Sequence, residues 1–362
     1  MNSKITDFKH VFVCGLHRSG TSVLARNVAR LENCTGFKNT GVIEDEGQFL
    51  QDVYASDHTR GGAGNFGFHP GSRLTEASDL LTKRNAERLR QCWEGYWDPA
   101  KHIRIEKTPG NLLRTRFLQA VFPNAYFVVL KRHPLAVSMA TQKWKLTVQS
   151  LDRLFKHWLY CHELFEQDKQ YLHHLYELRY EDYVNEPERF HHTIAEFIGT
   201  GVPKPVKEDS FRAVVAWRKP AGRPVPEKNM EPTSAVHNRK YFDRWRELCT
   251  RSPFRSYYVY LADKYESRFA RHEYSLLEGL HSSLSPRKAY HSLGPVLCVG
   301  ADAVAWIRRL LARSKEFIRI TLKQILPELI VDKVRKLRQQ RSAECNSKRS
   351  APSGTESAKV HC

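Results

Sequence analysis

The feature that most constrains this chain is a glycine-bounded loop close to its N-terminus. Residues 10–14 (HVFVC) form a short apolar run typical of a buried β-strand, and residues 15–22 (GLHRSGTS) follow directly. A helix is predicted from about residue 20 to residue 31. Backbone N–H groups in such a loop, together with the positive end of the helix dipole, attract an anion to one place. The sequence therefore predicts a phosphate-binding loop.

The loop differs from that of an ATP-binding kinase. Thr21 follows Gly20 where a Walker A motif has its lysine, so the fixed cation of this loop is Arg18. Glycine at positions 15 and 20 lets a phosphate approach the backbone closely. An ordinary glycine turn before a helix is the alternative interpretation. The predicted phosphate contacts are Gly15, His17, Arg18, Ser19, Gly20, Thr21 and Ser22.

A second motif predicts a second phosphate site. Residues 125–130 (AYFVVL) form a continuous apolar run, and Arg132 follows at the end of this predicted strand. Pro134 is suited to the first turn of a helix, which places Ser138 on the second turn. Two separate phosphate sites on one sheet match a nucleotide with both 5′ and 3′ phosphates, whereas ATP needs only the first. Arg132 and Ser138 are the predicted contacts.

Together these motifs resemble those of sulfotransferases that use 3′-phosphoadenosine-5′-phosphosulfate (PAPS). Residues 15–22 are similar to the family's 5′-phosphosulfate loop, G-x-x-R-S-G-T-[ST], and residues 132–138 to its 3′-phosphate motif. His133 stands where aspartate or asparagine is common, so no role is transferred to it. The resemblance covers about residues 11–245. It is closest to a branch with many bacterial enzymes, and more distant to the carbohydrate and tyrosylprotein enzymes.

The resemblance implies transfer of a sulfuryl group from PAPS, the co-substrate, to an acceptor hydroxyl, without a metal. Charge then develops on the leaving phosphate oxygen and on the attacking hydroxyl, so the site needs cations and a base. Lys107 ends a predicted strand within residues 106–109 (EKTP), a string similar to one in glycan sulfotransferases whose lysine assists at the sulfuryl group. Arg18 is the second catalytic cation. A solvated lysine before a turn is the alternative for Lys107.

Candidates for the base lie in residues 44–46 (EDE), three consecutive carboxylates in a basic protein. Mutual repulsion is expected to raise at least one pKa. The related enzymes place a catalytic glutamate in this part of the chain, which implies Glu46 first and Glu44 second. His58, at the start of the glycine-rich residues 57–72, is a third candidate. A solvated acidic turn is the alternative.

Two further segments are candidate binding loops or lids. Residues 219–238 are rich in proline and charge, and residues 57–72 contain GGAGNFGFHPGS. Basic and aromatic residues alternate in residues 238–245 (NRKYFDRW). Lys240 and Tyr241 are therefore predicted to close over the 3′-phosphate or stack on the adenine. The start of an amphipathic surface helix is the alternative for this last segment.

Strands predicted at residues 10–14, 102–105, 125–130 and 175–180 alternate with helices. This pattern indicates an α/β fold, a P-loop-type doubly wound parallel sheet flanked by helices, with a helical basic C-terminal extension. The expected domains are a catalytic domain (1–274), a basic amphipathic helical extension (275–340) and a disordered tail (341–362). Apolar residues between arginines and lysines predict an amphipathic helix at residues 307–326, ended by Pro327.

The formal net charge of +19 favours anionic partners. Nucleic acid is not expected, because no zinc-finger, RNA-recognition or basic-zipper pattern is present. The basic C-terminal helix could contact an anionic membrane surface or cover the catalytic domain. No signal peptide or membrane span is evident, so we expect a cytoplasmic protein with at most a peripheral membrane contact.

The predicted function is sulfuryl transfer from PAPS to a hydroxyl, with a glycan favoured over a peptide or small alcohol as acceptor. A P-loop nucleoside or sugar kinase is the first alternative, but the absent Walker lysine and the second phosphate motif count against it. A non-catalytic protein that binds polyanions or membranes is the second, and it leaves the paired motifs unexplained. The sequence does not indicate an oligomeric state.

Overall fold

In the part of the chain that the structure describes, five parallel strands form the centre of the fold. The computed structural model describes residues 8–143, 149–203, 236–277, 280 and 289–325. Residues 219–235 of the predicted proline-rich loop and the predicted tail at 341–362 lie outside these ranges. The strands are β1 (Lys9–Gly15), β2 (Cys34–Gly36), β3 (Ile103–Lys107), β4 (Ala125–Lys131) and β5 (Leu175–Arg179). Their order across the sheet is β2-β3-β1-β4-β5.

Helices cover both faces of the sheet, because the inner strands are apolar on both sides. Along β1, Val11 and Val13 pack with one buried cluster, whereas Phe12 and Cys14 pack with the other. This confirms the predicted doubly wound α/β fold. The helices are α1 (Thr21–Val28), α2 (Lys83–Glu94), α3 (Thr115–Val121), α4 (Pro134–Thr141), α5 (Leu151–Asp168), α6 (Tyr180–Asn185), α7 (Pro187–Ile198), α8 (Val236–Thr250), α9 (Arg255–Ala270) and α10 (Ala289–Ile325).

The strand register brings the predicted site residues to one edge. In β1, Val13 lies beside Lys107 of β3, and Gly15 lies beside Leu130 of β4. Because all these strands are parallel, their carboxyl ends meet at the same edge, where α/β sheets bind ligands. The loop after β1 therefore lies between the ends of β3 and β4.

Several element boundaries differ from those predicted. The helix predicted from residue 20 to 31 is the shorter α1, and a 3₁₀ turn at Pro109–Leu113 precedes α3. Neither β2 nor α2 was predicted. The C-terminal helix α10 begins before the predicted residue 307 and includes Pro295.

The chain divides into two units, Met1–Trp306 and Ile307–Cys362, and the first holds the whole sheet. The domain boundaries expected from composition stay a prediction. Within the described ranges, no helix combines the length and the apolar character needed to cross a membrane.

Candidate active site

The phosphate loop is a tight turn with two residues in the left-handed backbone region. The φ angles are 72° at Arg18 and 97° at Gly20, and the backbone N–H of Ser19 donates to the Leu16 carbonyl over 3.0 Å. A methyl group at Gly20 would lie 2.6 Å from a ring carbon of Tyr180. Only glycine fits that position, because both its φ angle and its close neighbour exclude a side chain.

Each of the two predicted phosphate motifs contains a buried serine hydroxyl. The Ser19 and Ser138 side chains are 0% and 1% exposed, and neither Oγ has a hydrogen-bond partner among the described residues. Burying a hydroxyl without a partner costs about 1–3 kcal/mol. These two positions therefore fit the oxygen atoms of a polar ligand. Thr21 is also buried and Ser22 is half-buried.

The two predicted phosphate motifs are in direct contact. The Arg132 Nη1 atom donates to the Arg18 carbonyl oxygen over 2.9 Å, and the Arg132 guanidinium lies 4.1 Å from the centre of the Tyr180 ring. Burial lowers the pKa of the Arg18 guanidinium, and the charge of Arg132 lowers it further. A bound anion would offset both effects, since it favours the charged form of each arginine.

Lys107 and Glu46 form a buried ion pair at the end of β3. The Lys107 Nζ atom lies 2.9 Å from Glu46 Oε1, and both residues are 6% exposed. The second Glu46 oxygen accepts a hydrogen bond of 2.6 Å from the Gln48 side-chain amide. The structure thus brings together the predicted catalytic cation and the first-choice base, although they are 61 positions apart in the sequence.

A sequence profile described as "Sulfotransferase family" matches residues 10–204, which is more than half of the chain. The chain belongs to the sulfotransferase family. This confirms the predicted family and makes the protein a PAPS-dependent sulfotransferase. The matched residues include the phosphate loop at 15–22, Lys107, and the second phosphate motif with Arg132 and Ser138.

Several solved structures are similar to this sulfotransferase at low sequence identity. The sulfotransferase STF1 of Mycobacterium tuberculosis H37Rv is 16% identical over 54% of this chain and 68% of its own, with a TM-score of 0.40. An Alicyclobacillus acidocaldarius sulfotransferase is 16% identical over 56% and 86%, at 0.36. The sulfotransferase domain of the curacin biosynthetic pathway is 15% identical over 71% and 97%, at 0.40. No curated protein matches the chain. The family assignment rests on the profile.

The three neighbouring carboxylates of the sulfotransferase have separate partners. Glu44 lies 3.6 Å from Arg26 Nη2, and Asp45 accepts a hydrogen bond of 2.8 Å from the Thr40 backbone. Positive φ angles of 54° and 51° at Glu44 and Asp45 turn the chain sharply before Glu46. Glu44 and Glu46 each lie beside a cation, whereas the partner of Asp45 is the neutral Thr40. The mutual repulsion expected from the sequence stays a prediction, and Glu46 differs from its two neighbours by its contact with Lys107.

Glu106 is a buried carboxylate that the sequence analysis did not select. It accepts hydrogen bonds from the Gly47 backbone (2.9 Å), the Thr108 hydroxyl (2.6 Å) and the Asn111 amide (2.6 Å). Burial raises the pKa of Glu106 to about 7. Because Glu106 holds the backbone of the residue after Glu46, it fixes the position of the candidate base. The EKTP string contained this residue, but only Lys107 was assigned a role.

In the glycine-rich residues 57–72, the buried titratable side chain beside the phosphate loop is Asp57, next to the predicted third candidate His58. His58 is exposed, whereas its neighbour Asp57 is 1% exposed. Asp57 pairs with the buried Arg114 guanidinium, and its other oxygen lies 3.7 Å from Nε2 of His17 in the phosphate loop. Burial lowers the pKa of His17. The Asp57–Arg114 ion pair therefore contacts the phosphate loop through His17.

Lys240 and Tyr241, which the sequence predicts to contact the donor nucleotide, lie in helix α8. The Lys143 Nζ atom donates to the Tyr241 hydroxyl over 3.2 Å, and Lys240 is exposed. Their predicted contacts with the donor stay predictions. In the described part of the chain, no group of three histidine, cysteine, aspartate or glutamate residues is arranged to hold a metal ion.

A small cavity adjoins the phosphate loop. It lies between that loop, α4 and α5, and Ser138 contributes to its wall. The cavity is mostly apolar, with two histidines, His17 and His157, in its wall. The lining residues are Leu16, His17, Gly64, Val137, Ser138, Thr141, Leu154, His157 and Trp158.

Proposed function

We propose that this enzyme transfers the sulfuryl group of PAPS to a carbohydrate hydroxyl, with Glu46 as the base and Lys107 as the cation at the transferred group. The observation that carries the proposal is the buried contact of 2.9 Å between Lys107 Nζ and Glu46 Oε1. It lies at the sheet edge where the phosphate loop begins, because Lys107 is beside Val13 in the register. A base and a cation at this edge are what sulfuryl transfer requires.

In this proposal the donor occupies both phosphate motifs. The 5′-phosphosulfate lies in the loop at residues 15–22, and the 3′-phosphate is held by Arg132 and Ser138. Two observations support this arrangement: the Arg132 guanidinium contacts the Arg18 carbonyl, and the Ser19 and Ser138 hydroxyls are buried with no partner among the described residues. The 5′ and 3′ phosphates of one nucleotide need neighbouring sites of this kind.

The chemical step follows from the charges. Glu46 accepts the proton of the acceptor hydroxyl while the hydroxyl oxygen forms a bond to sulfur, and the bond from sulfur to the 5′-phosphate oxygen breaks. Lys107 and Arg18 stabilise the negative charge that develops on the leaving phosphate oxygen. When PAPS is absent, Lys107 neutralises Glu46; the bound sulfate competes for Lys107 and leaves Glu46 a stronger base.

A carbohydrate acceptor is supported by two features. The EKTP string that contains Lys107 is similar to one in glycan sulfotransferases, and the formal net charge of +19 attracts acidic glycans. The kinase alternative is disfavoured by the loop itself, since Thr21 occupies the position of the Walker lysine.

The test measures transfer of labelled sulfate from PAPS to acidic glycans, neutral sugars, tyrosine peptides and phenols. We expect glycans to be the best acceptors, and Glu46→Gln to lower turnover by about a hundredfold or more. Glu44→Gln is the matched control, because that carboxylate pairs with Arg26 instead. Preference for a peptide or phenol would contradict the acceptor class, and equal turnover in the two variants would contradict the base.

A further inference from the structure

Helix α10 carries a stripe of large apolar side chains that face solvent. Ile307, Leu310, Leu311 and Ile318 are 48%, 50%, 57% and 55% exposed. Their spacing of three, one and seven residues places all four on one face of an α-helix. Soluble proteins rarely expose a continuous apolar stripe of this kind unless it is a contact surface. We call these four residues the apolar stripe.

The part of α10 within the first unit shows which side chains pack inward. Cys298 and Ala305 are buried, whereas Val299 and Trp306 are 71% and 57% exposed. Asp302 also accepts a hydrogen bond from the Ser150 hydroxyl at the start of α5. Cys298 and the partly buried Leu297 thus pack against the hydrophobic core, whereas Val299 and Trp306 face solvent. This part of α10 therefore covers the enzyme with one face only, and large apolar side chains on its other side stay exposed.

Basic residues flank the apolar stripe. From residue 307 to residue 325 the helix has six arginines and lysines and one acidic residue. Arg308, Arg313 and Lys315 are all exposed. At 100° per residue, Arg308 and Lys315 lie along one border of the stripe and Arg313 lies along the other. Cations that border an apolar face are typical of helices that lie in a membrane interface.

We infer that the apolar stripe of α10 binds an anionic membrane surface. The apolar side chains enter the boundary of the acyl chains, and the flanking arginines and lysine contact the phosphate groups of the lipids. A second copy of the chain is a poorer partner, since pairing two such stripes brings together like charges on proteins with a formal net charge of +19.

The test is sedimentation of the full-length enzyme with phosphatidylcholine vesicles, with or without roughly a third of phosphatidylserine. We expect binding to the anionic vesicles, little binding to the neutral ones, and release at high salt. Leu310→Ser/Leu311→Ser should lower vesicle affinity by about tenfold or more. The matched control is Phe254→Ser/Leu277→Ser, which removes two exposed apolar side chains elsewhere and should bind normally.

A charge variant keeps the test informative if the serine variant does not fold, which a thermal melt would reveal. Arg308→Glu/Arg313→Glu retains the stripe and should bind anionic vesicles at least about tenfold more weakly. Turnover with a soluble acceptor should be the same in all variants. Undiminished vesicle binding by both variants would overturn the inference. The inference would also fail if the wild-type enzyme bound no vesicles and light scattering showed a dimer that Leu310→Ser/Leu311→Ser loses. The apolar stripe would then join two copies of the chain.

Discussion

At the scale of single residues, Lys107 and Glu46 depend on each other for charge neutralisation. Removing the lysine leaves a buried carboxylate without its cation, which destabilises the site as well as the reaction. We expect Lys107→Ala to lower kcat by about a hundredfold to a thousandfold, and to change the KM for PAPS by less than about tenfold. Steady-state kinetics test this, with the exposed Lys83→Ala as control.

A double variant separates folding from chemistry at this pair. Glu46→Gln/Lys107→Met removes both charges, so it should recover the thermal stability lost in Lys107→Ala without recovering turnover. Recovery of turnover together with stability would mean that the pair only supports the fold.

The role of Arg132 predicts a loss that depends on the ligand. Arg132→Ala should weaken binding of 3′-phosphoadenosine-5′-phosphate by roughly tenfold to a hundredfold, because a charge-assisted contact to the 3′-phosphate disappears. Adenosine-5′-phosphosulfate has no 3′-phosphate and should bind almost unchanged. Calorimetry with both ligands measures the difference, and the exposed Arg84→Ala is the control. An equal loss for both would indicate that Arg132 merely supports the loop through the Arg18 carbonyl.

Residues of this site were predictable from sequence where one short segment specifies them. Arg18 and Lys107 each follow a predicted strand, and a local motif accompanies each. Asp57 and Arg114 escaped prediction because their pairing joins positions 57 residues apart, and neither has a local signal. Glu106 was overlooked for a different reason: its role comes from burial and from three donors, one of them the Gly47 backbone.

At the scale of elements, the turn between β1 and α1 depends on Gly20. Gly20→Ala combines an unfavourable φ of 97° with a contact of 2.6 Å to the Tyr180 ring. Gly41→Ala is a matched control, since φ is 85° there and nothing lies within 4 Å. In Gly41→Ala the free energy of unfolding should fall only by the backbone penalty of about 1–2 kcal/mol. Gly20→Ala should lose more stability in denaturant unfolding, and at least about tenfold in donor affinity.

Equal stability losses in these two glycine variants would contradict the close contact at Tyr180. Equal donor affinities would contradict the role of the turn as a phosphate cradle.

Element prediction succeeded where an apolar run or a proline marks the element. The strands β1 and β4 have such runs, and Pro134 begins α4 as expected. The three residues of β2 (CTG) carry no apolar run, so that strand depends on its pairing with β3. Helix α2 is strongly polar, although Thr82 accepts a hydrogen bond from the Asn85 backbone and forms a recognisable N-cap. That cap was the missed signal.

At the scale of the whole molecule, buried histidines should make the enzyme sensitive to acid. Burial lowers the pKa of His10 to about 3, of His157 to about 3 and of His133 to about 4. A histidine whose pKa is lower in the folded state favours folding above the unfolded pKa of about 6.5, and this is lost as the pH falls. At pH 5 each of these histidines lowers the free energy of unfolding by about 2 kcal/mol. The raised pKa of Glu106 has the opposite effect, because its protonation in the folded state favours folding as the pH falls. This gain offsets the loss from only about one histidine.

Denaturant unfolding at pH 7.5 and pH 5 tests this expectation. The free energy of unfolding should fall by several kcal/mol between the two values, and His10→Phe should reduce the fall by about 2 kcal/mol. His58→Gln is the control, because that histidine is exposed. An identical fall in the wild type and His10→Phe would show that His10 is not held neutral.

The contact between Arg132 and the Arg18 carbonyl has a consequence for the catalytic cycle. In the proposed binding mode, Arg18 and Arg132 bind the 5′ and 3′ phosphates, which the reaction leaves intact. Neither arginine is assigned to the sulfuryl group that is transferred to the acceptor. The spent donor, 3′-phosphoadenosine-5′-phosphate, should therefore leave slowly and compete with fresh PAPS. Continued turnover would then depend on a separate phosphatase that hydrolyses 3′-phosphoadenosine-5′-phosphate as fast as it forms.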